Sequence, residues 1–199
     1  MKLHKYESYD NYFDNQVKKN KKKLKLVGVS RKEIKIVSKY IKKNIPGYKF
    51  GICHGARNGW EVKQFRKALD IKVIGTDISP TAKMFNHIIQ WDFHEVKDKW
   101  INNVDFIFSN ALDHSYKPKD CLKQWMRCLT SNGLCFLSWN YSHGPEHVDS
   151  GDPFGATFKE YQDMISEDHF IVKTIEFGKH SGKPEHSKRD YIIVISNKK

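Results

Sequence analysis

A chain of 199 residues with 39% hydrophobic and 13% aromatic side chains has enough apolar mass for one packed core, so one globular domain is expected. No apolar run approaches the ~20 residues a bilayer span requires. The opening MKLHKYESYD has no apolar segment behind its charges, and none of Cys53, Cys121, Cys128 and Cys135 stands in a C-x-x-C pair. These features argue against a membrane span, a secretory leader and a zinc knuckle, and for a reducing cytoplasm. The formal charge of +12 rests on 35 basic residues of which only five are Arg (Arg31, Arg57, Arg66, Arg127, Arg189). Arg is the preferred fork for phosphate and base edges, so this charge speaks for solubility and non-specific attraction more than for sequence-specific readout.

In chain order, residues 1–29 are polar, with Tyr6, Tyr9 and Tyr12 ahead of the run KKNKKKLK at 18–25. They read as a solvated basic arm or, alternatively, a partner-binding tail. The domain proper is expected to cover residues 30–199. It opens with a capping box, Ser30 to Glu33, and a helix whose apolar face is Ile34, Val37, Tyr40, Ile41 and Ile45, stopped by Pro46-Gly47. Strands are then expected at 48–52, 72–76, 88–91, 104–109 and 134–139. The second ends in Asp77 and the third in Asp92. Helices lie between them, one carrying Trp60, Val62, Phe65 and Leu69, another starting at Pro118, carrying Leu122, Trp125, Met126 and Leu129, and closing at Asn132-Gly133. After a Gly/His/Asp/Pro-rich loop at 141–157 comes a helix with Phe158, Tyr161, Met164 and Ile165. Two last strands, 170–177 and 191–196, are joined by too few residues for a crossover helix and should pair as an antiparallel hairpin. Short apolar strands alternating with amphipathic helices predict an α/β three-layer sandwich with a mostly parallel seven-stranded sheet ending in that hairpin.

The stretch GICHGARNG at 51–59 joins the first strand to a helix. Gly55 and Gly59 permit a tight turn and a close approach of backbone to a ligand, and a helix N-terminus supplies unpaired N–H groups. A pair of glycines four apart is also found in plain loops, so the turn alone does not identify a ligand.

Together with the strands and turns C-terminal to it, this stretch resembles the glycine motif of the class I S-adenosylmethionine-dependent methyltransferases, and the resemblance extends over residues 45–196. That family carries D/E-x-G-x-G-x-G after the first strand, an acid ending the second, an Asp after the third, a polar turn after the fourth and a terminal antiparallel hairpin. Here the motif reads Cys53-His54-Gly55-Ala56-Arg57-Asn58-Gly59, with Cys53 in place of the acid and Arg57 in place of the middle glycine. The resemblance implies S-adenosyl-L-methionine as cofactor, held by His54, Gly55, Ala56, Arg57, Asn58 and Gly59. Asp77 and Ile78 would hold the ribose, Asp92 and Phe93 the adenine, and Asn110 the methionine backbone, with Arg57 able to pair with the cofactor carboxylate.

Methyl transfer from a sulfonium is an in-line displacement in which alignment supplies most of the rate, and a hydroxyl acceptor is helped by a base of near-neutral pKa. His114, with Asp113 as its orienter, is the first candidate, followed by His143 and His147. His143, His147, Asp149 and Asp152 also form a metal-type set, but HGPEH lies in a Gly/Pro loop rather than on a helix face, and no metal is expected. The leading expectation is a methyltransferase acting on a small hydroxylated acceptor such as a sugar or glycan precursor, with 141–157 as its lid. The alternatives are an RNA methyltransferase using the 18–25 arm and the basic segment 178–190, a non-catalytic binding module on the same fold and, more distantly, a nicotinamide-dependent oxidoreductase.

Overall fold

The computed structural model describes residues 1–179 and 189–197. Its elements in chain order are β1 (Lys2–Leu3), α1 (Tyr9–Lys22), α2 (Arg31–Asn44), β2 (Phe50–His54), α3 (Trp60–Leu69), β3 (Lys72–Asp77), β4 (Ile88–Gln90), β5 (Val104–Ser109), α4 (Pro118–Cys128), β6 (Leu129–Trp139), β7 (Phe154–Gly155), α5 (Phe158–Asp168), β8 (His169–Lys179) and β9 (Arg189–Asn197). Seven strands form one sheet in the order β4-β3-β2-β5-β6-β9-β8. The pairs from β4 to β6 are parallel, and β9 runs antiparallel to both β6 and β8, which gives the expected terminal hairpin.

Side-chain alternation along the strands feeds two cores. Cys53, Phe106, Phe108, Ile192 and Val194 point to the face covered by α2 and α3, where they meet Val37, Ile41, Val62 and Phe65. Ile52, Ile107, Cys135, Ile193 and Ile195 point to the other face, where α4 and α5 supply Leu122, Trp125, Met164 and Ile165. Strands buried on both sides are continuous apolar runs, which is why VDFIFS and YIIVI contain so few polar residues. All four cysteines are free and buried in these layers. Among the described residues no helix is long and apolar enough to cross a membrane.

Three expectations are corrected. The helix beginning at Pro118 ends at Cys128, before Asn132-Gly133, and β6 already starts at Leu129. Val104 pairs with Leu129 and Phe106 with Leu134, so two steps along β5 face five along β6, and the extra residues, around Thr130–Gly133, bulge from the ladder. Strand β4 stops at Gln90, leaving Asp92 in the loop beyond it. The third correction concerns residues 9–22, which form a helix and not a solvated arm. Ser8 caps it by accepting from the Asn11 amide at 3.1 Å, and Tyr12, Gln16 and Asn20 make a buried stripe at i, i+4 and i+8. Lys18, Lys21, Lys22 and Lys25 stay exposed.

Candidate functional site

The parallel strands β2, β3 and β5 end together, and the turns after them build one site. At the first turn Gly55 has φ 70°, and a Cβ there would stand 2.5 Å from the Cβ of Ala111. Gly59, also at φ 70°, is the N-cap of α3, and a Cβ on it would meet Ile88 at 2.6 Å. Arg57 takes φ 43°, so it occupies the left-handed region that the family's middle glycine would fill without strain. Its amide is thereby turned onto Asp77, donating to Oδ2 at 2.9 Å, while the guanidinium reaches the Leu26 carbonyl at 3.4 Å. Asn58 donates to the carbonyls of Leu24 and Leu26, tying the turn to the strap that leads from α1 to α2.

Asp77, at the end of β3, is 7% exposed. Its Oδ1 accepts from the Ser79 amide and from the Asn20 side chain, each at 2.9 Å. Burial raises its pKa, and the amides of Ser79 and Arg57 pull it back. Asn20 therefore sits where a ligand's hydroxyls would meet this carboxylate, and it is itself held by Thr81 Oγ1 at 2.7 Å. Above it, Tyr12 and Gln16 close the space over Gly55, Ile78 and Phe93, leaving a cavity of about 50 Å³. Ligand sites for molecules of nucleoside size run to roughly 300 Å³ or more, so α1 must shift for such a ligand to enter here.

A second cavity, of about 360 Å³, opens on the other side of the glycine turn. Gly55, Ala56, Arg57, Asn58, Asn110, Asp113, His114 and His143 line it, together with Asp152, Asn140, Glu61 and the strap residues from Lys23 to Val29. Asp113 and His114 lie in a 3-10 turn directly after β5. His114 Nδ1 is 3.0 Å from both Gln16 Oε1 and the Gly151 carbonyl and 3.5 Å from Asp152 Oδ1. Asp113 Oδ2 is 3.9 Å from His143 Nε2, so the described hydrogen bonds orient His114 through Gln16 and Gly151 rather than through Asp113. Burial works against the charge on Asp152, but His114 and Lys19 beside it hold its carboxyl below the usual carboxylate range.

The structure thus brings Gly55, Ala56, Arg57, Asn58, Asp77, Ile78, Phe93, Asn110, Asp113, His114 and His143 to the two cavities. Other candidates lie elsewhere. The His54 ring is in the core, stacked on Trp125 at 4.7 Å and bonded through Nδ1 to Thr76 Oγ1 at 2.8 Å, so only its backbone belongs to the turn. Burial pushes its pKa down to about 3. Asp92 is engaged by the Tyr9 hydroxyl at 2.7 Å and by His94 Nδ1 at 2.6 Å, away from the cavity that its neighbour Phe93 lines. Burial opposes the charge, yet the His94 contacts hold this carboxyl below its ordinary pKa. His147 is exposed beside Glu146 and packs on Tyr141. Asp149 spends Oδ1 on the amides of Gly151 and Asp152, so the set His143, His147, Asp149, Asp152 does not converge. Most of the basic segment 178–190, residues 180–188, lies outside the described residues.

Tyr12, Gln16 and Asn20 were missed as site residues, because a buried stripe of Tyr, Gln and Asn carries no apolar period. The signals present were Ser8 as an N-cap and the i, i+4, i+8 spacing itself.

Residues 52–137 match the family model of a methyltransferase domain. The chain is similar in structure to the Burkholderia thailandensis 1,6-didemethyltoxoflavin-N1-methyltransferase, solved with 1,6-didemethyltoxoflavin and S-adenosylhomocysteine, at 11% identity over 96% of this chain and 88% of that one, with a TM-score of 0.69. It is also similar to the geranyl diphosphate C-methyltransferase of Streptomyces coelicolor, solved with Mg2+, geranyl diphosphate and S-adenosyl-L-homocysteine, at 8% identity over 94% and 98% of the two chains, with a TM-score of 0.63. A third similar structure is the [4+2]-cyclase SpnF, at 9% identity over 98% and 97%, with a TM-score of 0.65. At such identities the likeness is one of fold. A search of curated proteins gave no match.

Proposed function

We propose that the chain is a class I S-adenosylmethionine-dependent methyltransferase that moves a methyl group from S-adenosyl-L-methionine to a small hydroxylated acceptor, a sugar or glycan precursor. That reading is supported by the match of residues 52–137 to a methyltransferase domain and by the fold around them. The observation that carries the cofactor reading is the Gly55–Arg57–Asp77 constellation. A glycine turn with no room for a Cβ lies beside a buried carboxylate that receives the Arg57 amide. A carboxylate there is an acceptor-only group suited to a ribose diol, and Asn20 is the stand-in that keeps it satisfied. Arg57, at the rim of the larger cavity, supplies the cation for the cofactor carboxylate, and Asn110 a polar contact to its methionine part.

The acceptor then occupies the larger cavity, against Asp113, His114 and His143. These groups take up the hydroxyl and the proton it loses, while the turns hold oxygen and methyl in line. Residues 141–157, which carry His143 and Asp152, act as the lid. A side-chain-lined cavity of about 360 Å³ favours a compact acceptor over RNA, and the free buried cysteines fit a reducing cytoplasm. Incubation with methyl-labelled S-adenosylmethionine and two acceptor panels, sugars with other small polyols and structured RNA, tests this reading. Label in the small-molecule fraction that falls at least about 100-fold in His143→Ala or His114→Ala supports it. Label in RNA alone, or in neither panel while the cofactor binds, removes it.

A further inference from the structure

We propose that Asp113, His114 and Asp152 form a site for one divalent cation, with Mn2+ as the ion their donors fit best. Each offers one ligand atom, and the three atoms lie within 4.8 Å of one another. Donors at about 2.1 Å from one such ion stand about 3.0 Å apart when adjacent and about 4.2 Å apart when opposite, so the three groups have to draw together to share it. His114 Nδ1 and Asp152 Oδ1 are 3.5 Å apart, and binding an ion through Nδ1 requires that it give up its contacts to Gln16 Oε1 and the Gly151 carbonyl.

An independent observation points the same way. Asp113 Oδ1 is buried with no hydrogen-bond partner among the described residues, in a residue that is 6% exposed and lines the larger cavity. A buried carboxylate oxygen left without a donor is destabilising, and a cation at the cavity wall removes that penalty. Lys19 is paired with Asp152 through Oδ2, which leaves Oδ1, the oxygen nearer His114, for the ion. Asp113 and Asp152 bring two negative charges to such an ion, one of them already shared with Lys19. Carboxylate oxygens suit Mg2+, Ca2+ and Mn2+, whereas imidazole favours first-row transition ions, and Mn2+ satisfies both preferences.

The placement gives such an ion a structural and a chemical role. Asp113 and His114 belong to the turn after β5, while Asp152 arrives on the 141–157 segment. One ion therefore pins that segment to the sheet end. Three protein ligands leave positions for water or for an oxygen of whatever fills the cavity, and His143, whose Nε2 is 3.4 Å from Asn140 Nδ2 and 3.9 Å from Asp113 Oδ2, stays outside the ligand set. The ion site rests on these residues alone and not on the methyl-transfer reading.

The test is a titration of the full, EDTA-treated chain with MnCl2, monitored by the loss of the free-ion electron paramagnetic resonance signal, with no cofactor or acceptor present. The expected result is one bound Mn2+ per chain at micromolar concentration, displaced by Zn2+, and weakened at least tenfold in Asp113→Asn and in Asp152→Asn. Asp152 is 26% exposed at its side chain and Asp113 8%, so Asp152→Asn is expected to disturb the fold less and keeps the test decisive if Asp113→Asn does not fold. Absence of bound Mn2+ at millimolar concentration, or equal affinity in Asp152→Asn and the parent chain, overturns the proposal. Neither outcome depends on whether the protein transfers methyl groups.

Discussion

Arg57 holds a left-handed conformation that costs an L-residue about 1–2 kcal/mol, and what the chain gains is an amide aimed at Asp77. Arg57→Gly should therefore raise the free energy of unfolding by about 1 kcal/mol in urea while weakening cofactor binding through loss of the guanidinium. Gly55→Ala should do the opposite to stability. A left-handed φ and a Cβ 2.5 Å from Ala111 predict a loss of about 2–4 kcal/mol in the same assay, and no cofactor binding. Two buried titratable groups set opposite pH trends. His54 titrates near 6.5 when unfolded and about 3 when folded, so its contribution is present above pH 6.5 and is lost as pH falls towards 3. Burial raises Glu61 from 4.5 to about 7, so its contribution is full below pH 4.5 and is lost as pH rises through 7. Urea midpoints against pH should show a shallower acid decline in His54→Asn and a flatter profile between pH 4.5 and 7 in Glu61→Gln. Parallel curves for parent and variants would contradict these assignments. The sequence made Gly55, Gly59 and Asp77 legible because each answers a backbone demand that spacing exposes. It could not place the His54 ring, since β2 sends that side chain into the α4 layer and only the turn's backbone to the site.

At the scale of elements, α2 to α5 and the seven strands of the sheet were readable because each buries an apolar face with a regular period and marked ends. The capping boxes at Ser30–Glu33 and Thr157–Glu160 are complete in the structure. Helix α1 was not readable as part of the site because its inward face is polar. Its fit depends on hydrogen bonds to residues far away in sequence, Asn20 to Asp77 and Gln16 to the Gly151 carbonyl. On the proposed reading this helix covers the ribose position, and Asn20 would compete with the ribose for one carboxylate oxygen. Asn20→Ala should accordingly bind S-adenosylhomocysteine several-fold more tightly in calorimetry, at some cost in melting temperature. Unchanged affinity would mean that α1 leaves Asp77 without resistance. Register was equally hidden at the start of β6, where the bulge around Thr130–Gly133 lets Leu129 pair with Val104 before the regular ladder begins.

At the scale of the molecule, the two cavities share Gly55, Arg57, Ala111 and His114, so on the proposed reading cofactor and acceptor would meet between the glycine turn and the turn after β5. The net charge of +12 is a property of the surface and not of this cleft, which carries Asp77, Asp113 and Asp152 as well as Lys19, Lys23 and Arg57. A related fold also serves a [4+2]-cyclase, so the chemistry must be argued from the site and not from the sheet. The alternation of strands and helices along the chain, the acid ending β3 and the terminal hairpin were all visible in the sequence. The acceptor was not, because it is chosen by a cavity assembled from α1, the strap and 141–157, segments with no shared period. The most direct test is calorimetric titration of the parent chain and Asp77→Ala with S-adenosylhomocysteine, with NADH as the comparison ligand. The account predicts micromolar binding of the sulfur ligand alone, weakened at least about 100-fold in the variant as a buried charge-assisted contact is lost. Absence of binding by the parent chain, or equal binding by Asp77→Ala, would contradict it.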